Sequence, residues 1–240
     1  MNLTEYLRKL SYAELSNLEV GNDGNGSIPP NDVPQIVNYI NEGLLRLYSR
    51  FILKTNTLIV ECNEYRTRYH LSSKHSWLNA TEEDKKDPEF SDKFIRDDPE
   101  HPYTDDLIKI LTVYDTYHHK VPLNNHTDFR SVFTPVFDIL EIPQPLTGLA
   151  YSVVYQAKHP LLDFERDPLQ EINLPDTLYE ALGAYIAYKY YGNLNTQEAI
   201  TNSQKYFSIY NQVIQDTIDQ DLVSSSYSET NSKFHKRGWI

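Results

Sequence analysis

The densest group of acid–base side chains in the sequence lies in residues 81–106, which hold eleven acidic and four basic residues. Acid–base catalysis such as glycoside hydrolysis needs two carboxylates held in different environments on a rigid frame. The acids here follow no regular spacing, and the segment contains three prolines and few large apolar side chains. Its composition therefore predicts a solvated loop rather than a catalytic frame.

Residues of the types that bind metals are few and poorly spaced. His118 and His119 are adjacent in a strand-like region, so their side chains would point to opposite faces of a strand; His126 is the nearest further histidine. Residues 22–26 resemble a calcium loop only faintly, because the required glutamate spacing and flanking helices are missing. We predict no metal site and no cofactor site.

The sequence also lacks the common catalytic motifs. It has no Gly-rich phosphate loop, no Gly-x-Ser-x-Gly elbow and no His-Glu-x-x-His pair. The single cysteine, Cys62, lies in a strand-like run and is predicted to be a buried, inert thiol. We therefore predict no catalytic residues and a chain that is not an enzyme.

The bulk composition narrows the function further. The 240 residues carry a net charge of −12, so the chain is not expected to grip nucleic acid, which needs Lys and Arg. Nineteen tyrosines favour large protein interfaces, because Tyr combines a stiff apolar ring with a polar tip. The N-terminus lacks a signal-peptide pattern and no run of apolar residues is long enough to span a membrane, so we expect a soluble cytoplasmic product.

The first part of the chain predicts helices. A capping box at Ser11 and Glu14 predicts a short helix pair, and residues 21–32 predict a loop. A stronger helix follows over residues 33–52, with Asp32 as its N-cap. Its apolar residues recur at three- and four-residue spacing, which predicts one broad stripe: Ile36, Ile40, Leu44, Leu47, Tyr48 and Phe51.

The middle of the chain changes to an alternating pattern. Residues 57–70 predict a strand or hairpin, residues 107–123 predict a second strand region, and residues 148–157 predict the clearest strand. The helical period returns at residues 176–191, and Thr196 is the predicted cap of a long helix that ends near Val223. The apolar face predicted for that last helix consists of Ile200, Phe207, Tyr210, Ile214 and Ile218.

The helix over 176–191 is apolar or aromatic around much of its circumference, so it needs contacts on more than one side. Two arrangements satisfy this: the helix is buried at the centre of its own subunit, or one face packs inside the subunit and the other against a second subunit. In the second arrangement four tyrosines form the subunit interface: Tyr179, Tyr190, Tyr191 and Tyr206.

These elements predict an α+β fold, in which a helical bundle contains an inserted β module. We expect N-terminal helices of the bundle at 1–55, a β-rich module at 56–174 that includes the acidic loop, a C-terminal helix hairpin at 175–223 and an extended tail at 224–240. The tail has a net charge of +2 on an otherwise acidic chain. We predict that it docks on a partner through five residues: Phe234, Lys236, Arg237, Trp239 and Ile240.

The order of three segments resembles a known family. A short helical segment ending YAELSNLEV precedes IVNYINEGLLRLYSRF; FTPVFDILEIP precedes VVYQAKHPLL; and NLPDTLYEALGAYIAYKYYGN precedes SQKYFSIYNQVI. This order is similar to that of the head-to-tail adaptor proteins, also called connector or head-completion proteins, of short-tailed bacteriophages. The resemblance covers nearly the whole chain, and the central acidic insertion is the part that does not match it.

The resemblance implies a structural protein of the virion neck, between capsid and tail, that is assembled in the host cytoplasm. It implies a ring of twelve copies beneath the portal protein, with the bundle around the DNA channel and the tail reaching the portal. Further partners would be a tail or nozzle protein and double-stranded DNA that passes through without sequence-specific binding, with no membrane involved. The alternatives are a host-side helical binding module that acts through its tail and a polysaccharide-acting enzyme.

Overall fold

The computed structural model describes residues 1–16, 28–86, 91–194 and 196–223. Within these ranges the fold is α+β, with five α-helices and two antiparallel sheets. The chain divides into two compact units. A helical unit combines residues 1–52 with the C-terminal part of the chain from Leu162, and a β-rich unit contains residues 53–161.

Helix α1 (Leu3–Tyr12) begins the helical unit. Its capping box is formed by Asn2 and Glu5: the Asn2 side chain accepts a hydrogen bond from the Glu5 amide, and the Glu5 carboxylate accepts one from the Asn2 amide. The predicted capping box at Ser11 and Glu14 is therefore wrong. Ser11 lies inside α1, where its hydroxyl donates to the Arg8 carbonyl at 2.7 Å.

Three longer helices complete this unit: α2 (Val33–Arg50), α4 (Asp176–Gly192) and α5 (Gln197–Asp219). Asp32 occupies the N-cap position of α2 but makes no side-chain capping bond, because its backbone is already helical. Thr196 caps α5 as predicted, since its side chain accepts a hydrogen bond from the Ala199 amide. Helix α4 packs against both α2 and α5.

Residues 162–174 belong to the helical unit, although the sequence assigned them to the β module. The Leu162 amide donates to the Asn41 side chain of α2 at 2.9 Å, and the Leu3 amide donates to the Gln170 carbonyl at 2.9 Å. Hydrogen bonds to α1 and α2 thus tie this irregular segment to the helices. The apolar residues of this segment have no regular spacing, so the sequence alone could not assign it to the helical unit.

The β-rich unit contains eight strands: β1 (Thr55–Glu61), β2 (Arg68–His70), β3 (Ile95–Arg96), β4 (Leu107–Tyr114), β5 (Lys120–Val121), β6 (Phe133–Val136), β7 (Ile139–Glu141) and β8 (Ala150–Ala157). The larger sheet has the order β3-β1-β8-β4-β5, and the smaller has the order β2-β7-β6. Strand β8 is central and pairs with β1 and β4 on either side. Residues 57–70 therefore form no hairpin, because β1 and β2 lie in different sheets.

Both sheets contribute to one core. Val60 and Val153 of the larger sheet and Tyr69 and Leu140 of the smaller one are fully buried in the same cluster. The alternation of buried and partly exposed residues along β1 follows the period of two that a half-buried strand requires. The three long strands were predictable for that reason, whereas the strands of two to four residues are too short to show a period.

The acidic segment 81–106 is not a continuous solvated loop. It contains the short helix α3 (Glu82–Lys86) and strand β3, and β3 pairs with Ile59 and Val60 of β1. Phe94, Ile95 and Tyr103 are buried in the core of the unit. The segment therefore forms the edge of the larger sheet. The prediction missed this because the many charged residues dominate the composition and its few apolar residues show no period.

Candidate assembly surfaces

The four tyrosines predicted at a subunit interface differ in their exposure. Tyr179 and Tyr191 are only 5% and 3% exposed, so neither offers free surface to a second chain in this conformation. The Tyr179 hydroxyl donates to the Ile172 carbonyl at 2.6 Å, and its ring lies 5.6 Å from that of Tyr6. Helix α4 is apolar on several sides because α1, α2 and α5 all contact it within the helical unit.

Tyr190 and Tyr206 are half-buried. The Tyr206 ring stacks on Tyr191 with a centroid distance of 5.6 Å, and its hydroxyl donates to the Glu14 carbonyl at 3.3 Å. Burial raises the pKa of both hydroxyls, with the acidic Asp32 adding to the effect at Tyr190. The exposed edges of these two residues are the parts of the predicted interface that a partner could reach.

Helix α5 exposes apolar residues that the periodicity of the sequence predicted to be buried. Ile200, Phe207 and Ile218 are 45%, 41% and 44% exposed, and we call them the α5 stripe. Of the five residues predicted for the apolar face of this helix, only Tyr210 and Ile214 are buried. The prediction was therefore wrong for the three residues of the stripe.

Two small polar residues of α5 take the buried positions instead. The Ser203 hydroxyl donates to the Tyr188 carbonyl of α4 at 3.0 Å. The Thr217 hydroxyl donates to the Val213 carbonyl at 2.7 Å. Because these hydrogen bonds satisfy both hydroxyls, Ser203 and Thr217 can be buried, and Ser203 contacts α4 directly. The apolar stripe is turned outward as a result.

Aromatic rings connect the stripe to the core of the helical unit. Phe207 lies 4.9 Å from the ring of Tyr188, and Tyr188 lies 6.0 Å from Tyr185, which is buried. Tyr210 lies 5.6 Å from Tyr185 on the other side. This packing fixes the position of Phe207, so the central residue of the stripe is held in place on the surface.

Loops of the β-rich unit also expose large apolar side chains. Tyr65, Tyr117, Phe129 and Leu146 are 60–78% exposed. The loops of Tyr65 and Leu146 are joined by a hydrogen bond from the Glu64 amide to the Thr147 hydroxyl at 3.1 Å. Phe129 and Leu146 line a cleft of about 230 Å³. We call these four exposed residues the loop rim; within it Phe129 and Leu146 share one cleft, as adjacent apolar residues at a protein-binding site do.

A larger cleft of about 570 Å³ contains the nearest arrangement to an acid–base site. Asp106 accepts hydrogen bonds from the Tyr155 hydroxyl at 2.7 Å and from the Asn56 side chain at 2.9 Å. Asp97 accepts bonds from the Ser76 hydroxyl at 2.5 Å and from the Tyr103 amide at 3.0 Å. These carboxylates hold loops of the unit together.

The histidines and the cysteine considered in the sequence analysis lie in different parts of the β-rich unit. His118 and His119 are exposed in the turn between β4 and β5, and in the described residues no three side chains of His, Cys, Asp or Glu are grouped as a metal site. Cys62 is 6% exposed, and burial raises the pKa of its thiol to about 11. The low exposure and the raised pKa are both consistent with the prediction that Cys62 is a buried, inert thiol.

Two predicted features lie outside the described residues: the loop at 22–26 and the docking residues Phe234, Lys236, Arg237, Trp239 and Ile240. Within the described ranges, none of the helices combines the length and apolar character needed to cross a bilayer. No protein-family model matches the chain, and a search of curated proteins finds no relative of it.

Proposed function

We propose that the chain is a virion structural protein, a head-to-tail adaptor that forms a ring of twelve copies beneath the portal of a short-tailed bacteriophage. It joins the capsid to the tail or nozzle proteins, continues the DNA channel and catalyses no reaction. In this proposal α4 and α5 form the C-terminal hairpin of a helical bundle, and residues 224–240 are the tail that docks on the portal.

The observation that carries the proposal is the arrangement of the chain's two ends. Residues 1–52 and the region from Leu162 onward make one helical unit, and the β-rich unit is inserted between them. The three segments that carry the family resemblance follow one another in the same order as these helical, β-rich and helical parts of the chain. The α5 stripe and the loop rim supply one exposed apolar surface on each unit, as a protein with neighbours on several sides requires.

The charge of the chain supports passage of DNA rather than binding. The chain carries a net charge of −12. A wall of the same sign as the phosphate backbone repels DNA and keeps it moving, whereas a basic wall would hold it. The carboxylates of the larger cleft are engaged in hydrogen bonds within the unit, which favours a structural role for them.

The proposal is tested by mixing the purified full-length chain with purified portal rings encoded in the same genome. We expect a complex with one adaptor ring on each portal, seen by electron microscopy and by sedimentation. Deletion of residues 224–240 should leave the circular dichroism spectrum of the helices intact and abolish the complex. Failure of the full-length chain to bind portals at micromolar concentrations would contradict the proposal.

The subunit contacts of the proposed ring include the accessible edge of Tyr190. Replacing Tyr190 with Lys places a charge there, so ring formation on portals should be lost while the monomer stays folded. The matched control is Lys205→Ala, because Lys205 is an exposed residue of α5 outside the stripe. Full rings formed by the Tyr190→Lys variant would place the subunit contact elsewhere.

A further inference from the structure

Two arginines of α2 carry charges that no acidic partner balances in the described part of the chain. Arg46 and Arg50 are both exposed and lie one helical turn apart. Within the described ranges, neither guanidinium group forms an ion pair or a hydrogen bond. The chain has 34 acidic and 22 basic residues, so a shortage of acids does not explain this. Both charges are therefore available to a partner.

Aromatic rings hold these arginines beside α5. The guanidinium group of Arg46 lies 5.2 Å from the ring centroid of Tyr185, and the Tyr185 ring lies 5.6 Å from that of Tyr210. Burial raises the pKa of the Tyr210 hydroxyl, and the charges of Arg46 and Arg50 oppose that rise, as nearby cations do. The ring of Phe207 lies 6.5 Å from that of Tyr210, and Phe207 is 41% exposed. We call Arg46, Arg50 and Phe207 the arginine face.

The neighbouring charges of α2 and α4 do not cancel the arginine face. Glu42, one turn before Arg46, binds Lys189 of α4 at 2.8 Å, so these two charges offset each other. Lys189 is the main cause of the lowered pKa of Glu42, to which Arg46 adds little. The two acids of α4 act on other groups: Glu180 on the carboxyl group of Glu14, and Asp176 on the hydroxyl of Tyr179.

The charges of α5 also lie away from the arginine face. Four residues of this helix are charged, and each is at least about 120° around the helix axis from both Phe207 and Tyr210: Glu198, Lys205, Asp216 and Asp219. The arginine face is therefore a patch of positive charge on a chain whose net charge is −12. Charge complementarity favours a negatively charged partner at this patch.

The spacing of the two arginines suits carboxylates on an extended peptide. Arg46 and Arg50 are about 6 Å apart along the helix, and alternate residues of an extended chain are about 7 Å apart. A guanidinium group binds a carboxylate through two parallel hydrogen bonds, and the exposed part of Phe207 offers an apolar contact. Single-stranded nucleic acid fits less well, because base stacking needs exposed ring faces. Tyr185 and Tyr210 are only 2% and 7% exposed.

We infer that the arginine face binds an acidic peptide segment of a partner protein, with two carboxylates on Arg46 and Arg50 and an apolar side chain on Phe207. The surface belongs to the helical unit of a single copy. The inference therefore goes beyond the proposed ring and does not depend on it.

The test uses the full-length chain and a fluorescent peptide of about ten residues in which Glu and Asp flank a central Phe. Its dissociation constant is measured by fluorescence anisotropy at low salt. A counterpart peptide with Gln and Asn in place of the acids should bind at least tenfold more weakly. Arg46→Gln together with Arg50→Gln should weaken binding of the acidic peptide at least tenfold, and Phe207→Gln should weaken it as well. The matched control, Arg8→Gln together with Lys205→Gln, removes two charges at exposed positions outside the face and should leave the constant unchanged.

Arg46→Lys together with Arg50→Lys keeps both charges but loses the paired hydrogen bonds, so it should bind the acidic peptide more tightly than the Gln pair and less tightly than the wild type. If circular dichroism shows that the Gln pair has lost its helices, the Lys pair and Phe207→Gln decide the result. Absence of binding at about 1 mM chain, equal binding of the two peptides or an equal loss in the control would overturn the inference. Tighter binding of a single-stranded oligothymidylate than of the acidic peptide would also overturn it and assign the face to nucleic acid.

Discussion

The carboxylate of Glu14 occupies the space that a side chain at position 183 would fill. Its Oε1 atom lies 2.5 Å from the position of a Cβ atom on Gly183 of α4. Its Oε2 atom is buried and has no hydrogen-bond partner among the described residues. Burial raises the pKa of Glu14, and the nearby Glu180 adds to this, whereas its own backbone amide and Lys9 lower it. A glycine in α4 thus makes room for a carboxyl group whose pKa is raised by the folded chain.

Glu14→Gln should stabilise the protein at neutral pH by on the order of 1 kcal/mol, because it removes a partly buried charge whose Oε2 atom has no hydrogen-bond partner among the described residues. Since the folded state binds this proton more tightly than the unfolded state, the stability of the wild type falls as pH rises from the ordinary value of 4.5 through the raised folded value. The advantage of the variant should therefore be present at pH 7.5 and shrink toward pH 4. Urea unfolding followed by circular dichroism at both pH values measures it.

Glu165→Gln is the matched control for that measurement, because Glu165 is exposed in the same helical unit. Its effect on unfolding should be small at both pH values. An advantage of Glu14→Gln that is equal at pH 4 and pH 7.5 would contradict the role assigned to ionisation of Glu14.

Gly43 allows the close approach of α2 and α4. A Cβ atom there would lie 2.5 Å from Cδ1 of Leu182 and 3.0 Å from Cδ1 of Tyr185. Alanine favours a helix over glycine by about 1 kcal/mol, but overpacking a core costs about 1–3 kcal/mol, so Gly43→Ala should destabilise the helical unit by up to about 2 kcal/mol. Thermal unfolding measures the loss.

Asn38→Ala is the control, because Asn38 is an exposed residue of α2 and its replacement changes helix propensity without changing the packing of the core. It should leave the melting temperature unchanged or raise it slightly. If Gly43→Ala also raised the melting temperature, Leu182 and Tyr185 would have to move aside at little cost, and the close approach would not limit the packing.

Periodicity predicted the elements that are long enough to show it. Helices α2, α4 and α5 and strands β1, β4 and β8 each span seven residues or more and carry a repeat of apolar positions. Strands β2, β3 and β7 are two or three residues long and exist through their pairing with distant strands, which no local pattern encodes. The α+β class followed from the long elements alone.

The outward face of α5 was missed for a different reason. Periodicity ranks Ile200 and Ile218 above Ser203 and Thr217 as core residues, because it considers only the apolar character of each side chain. In the structure the two hydroxyls bond to backbone carbonyls and face inward. Hydrophobic pattern predicts where a helix is, but hydrogen bonds available in the folded unit decide which of two adjacent faces is buried.

Substitutions within residues 81–106 should differ in their effect on the stability of the fold, because some of these residues are buried and others are exposed. Ile95 is fully buried, so Ile95→Ala should cost about 2–5 kcal/mol. Glu82 is exposed and paired with Lys85 at 2.8 Å, and Glu82→Gln should leave the melting temperature nearly unchanged. Thermal unfolding of the two variants compares them directly. Equal tolerance at both positions would restore the interpretation of this segment as a solvated loop.

Cys62 should report the opening of the β-rich unit. Its thiol is 6% exposed, and a pKa of about 11 leaves only about one thiol in a thousand ionised at pH 8. A disulfide reagent should therefore modify the native chain at least a hundredfold more slowly than the urea-unfolded chain. The control is a Cys62→Ala chain that also carries Lys74→Cys, which places a thiol at an exposed position of the same unit and should react rapidly. Rapid modification of native Cys62 at pH 8 would mean that β1 separates from its core neighbours without global unfolding.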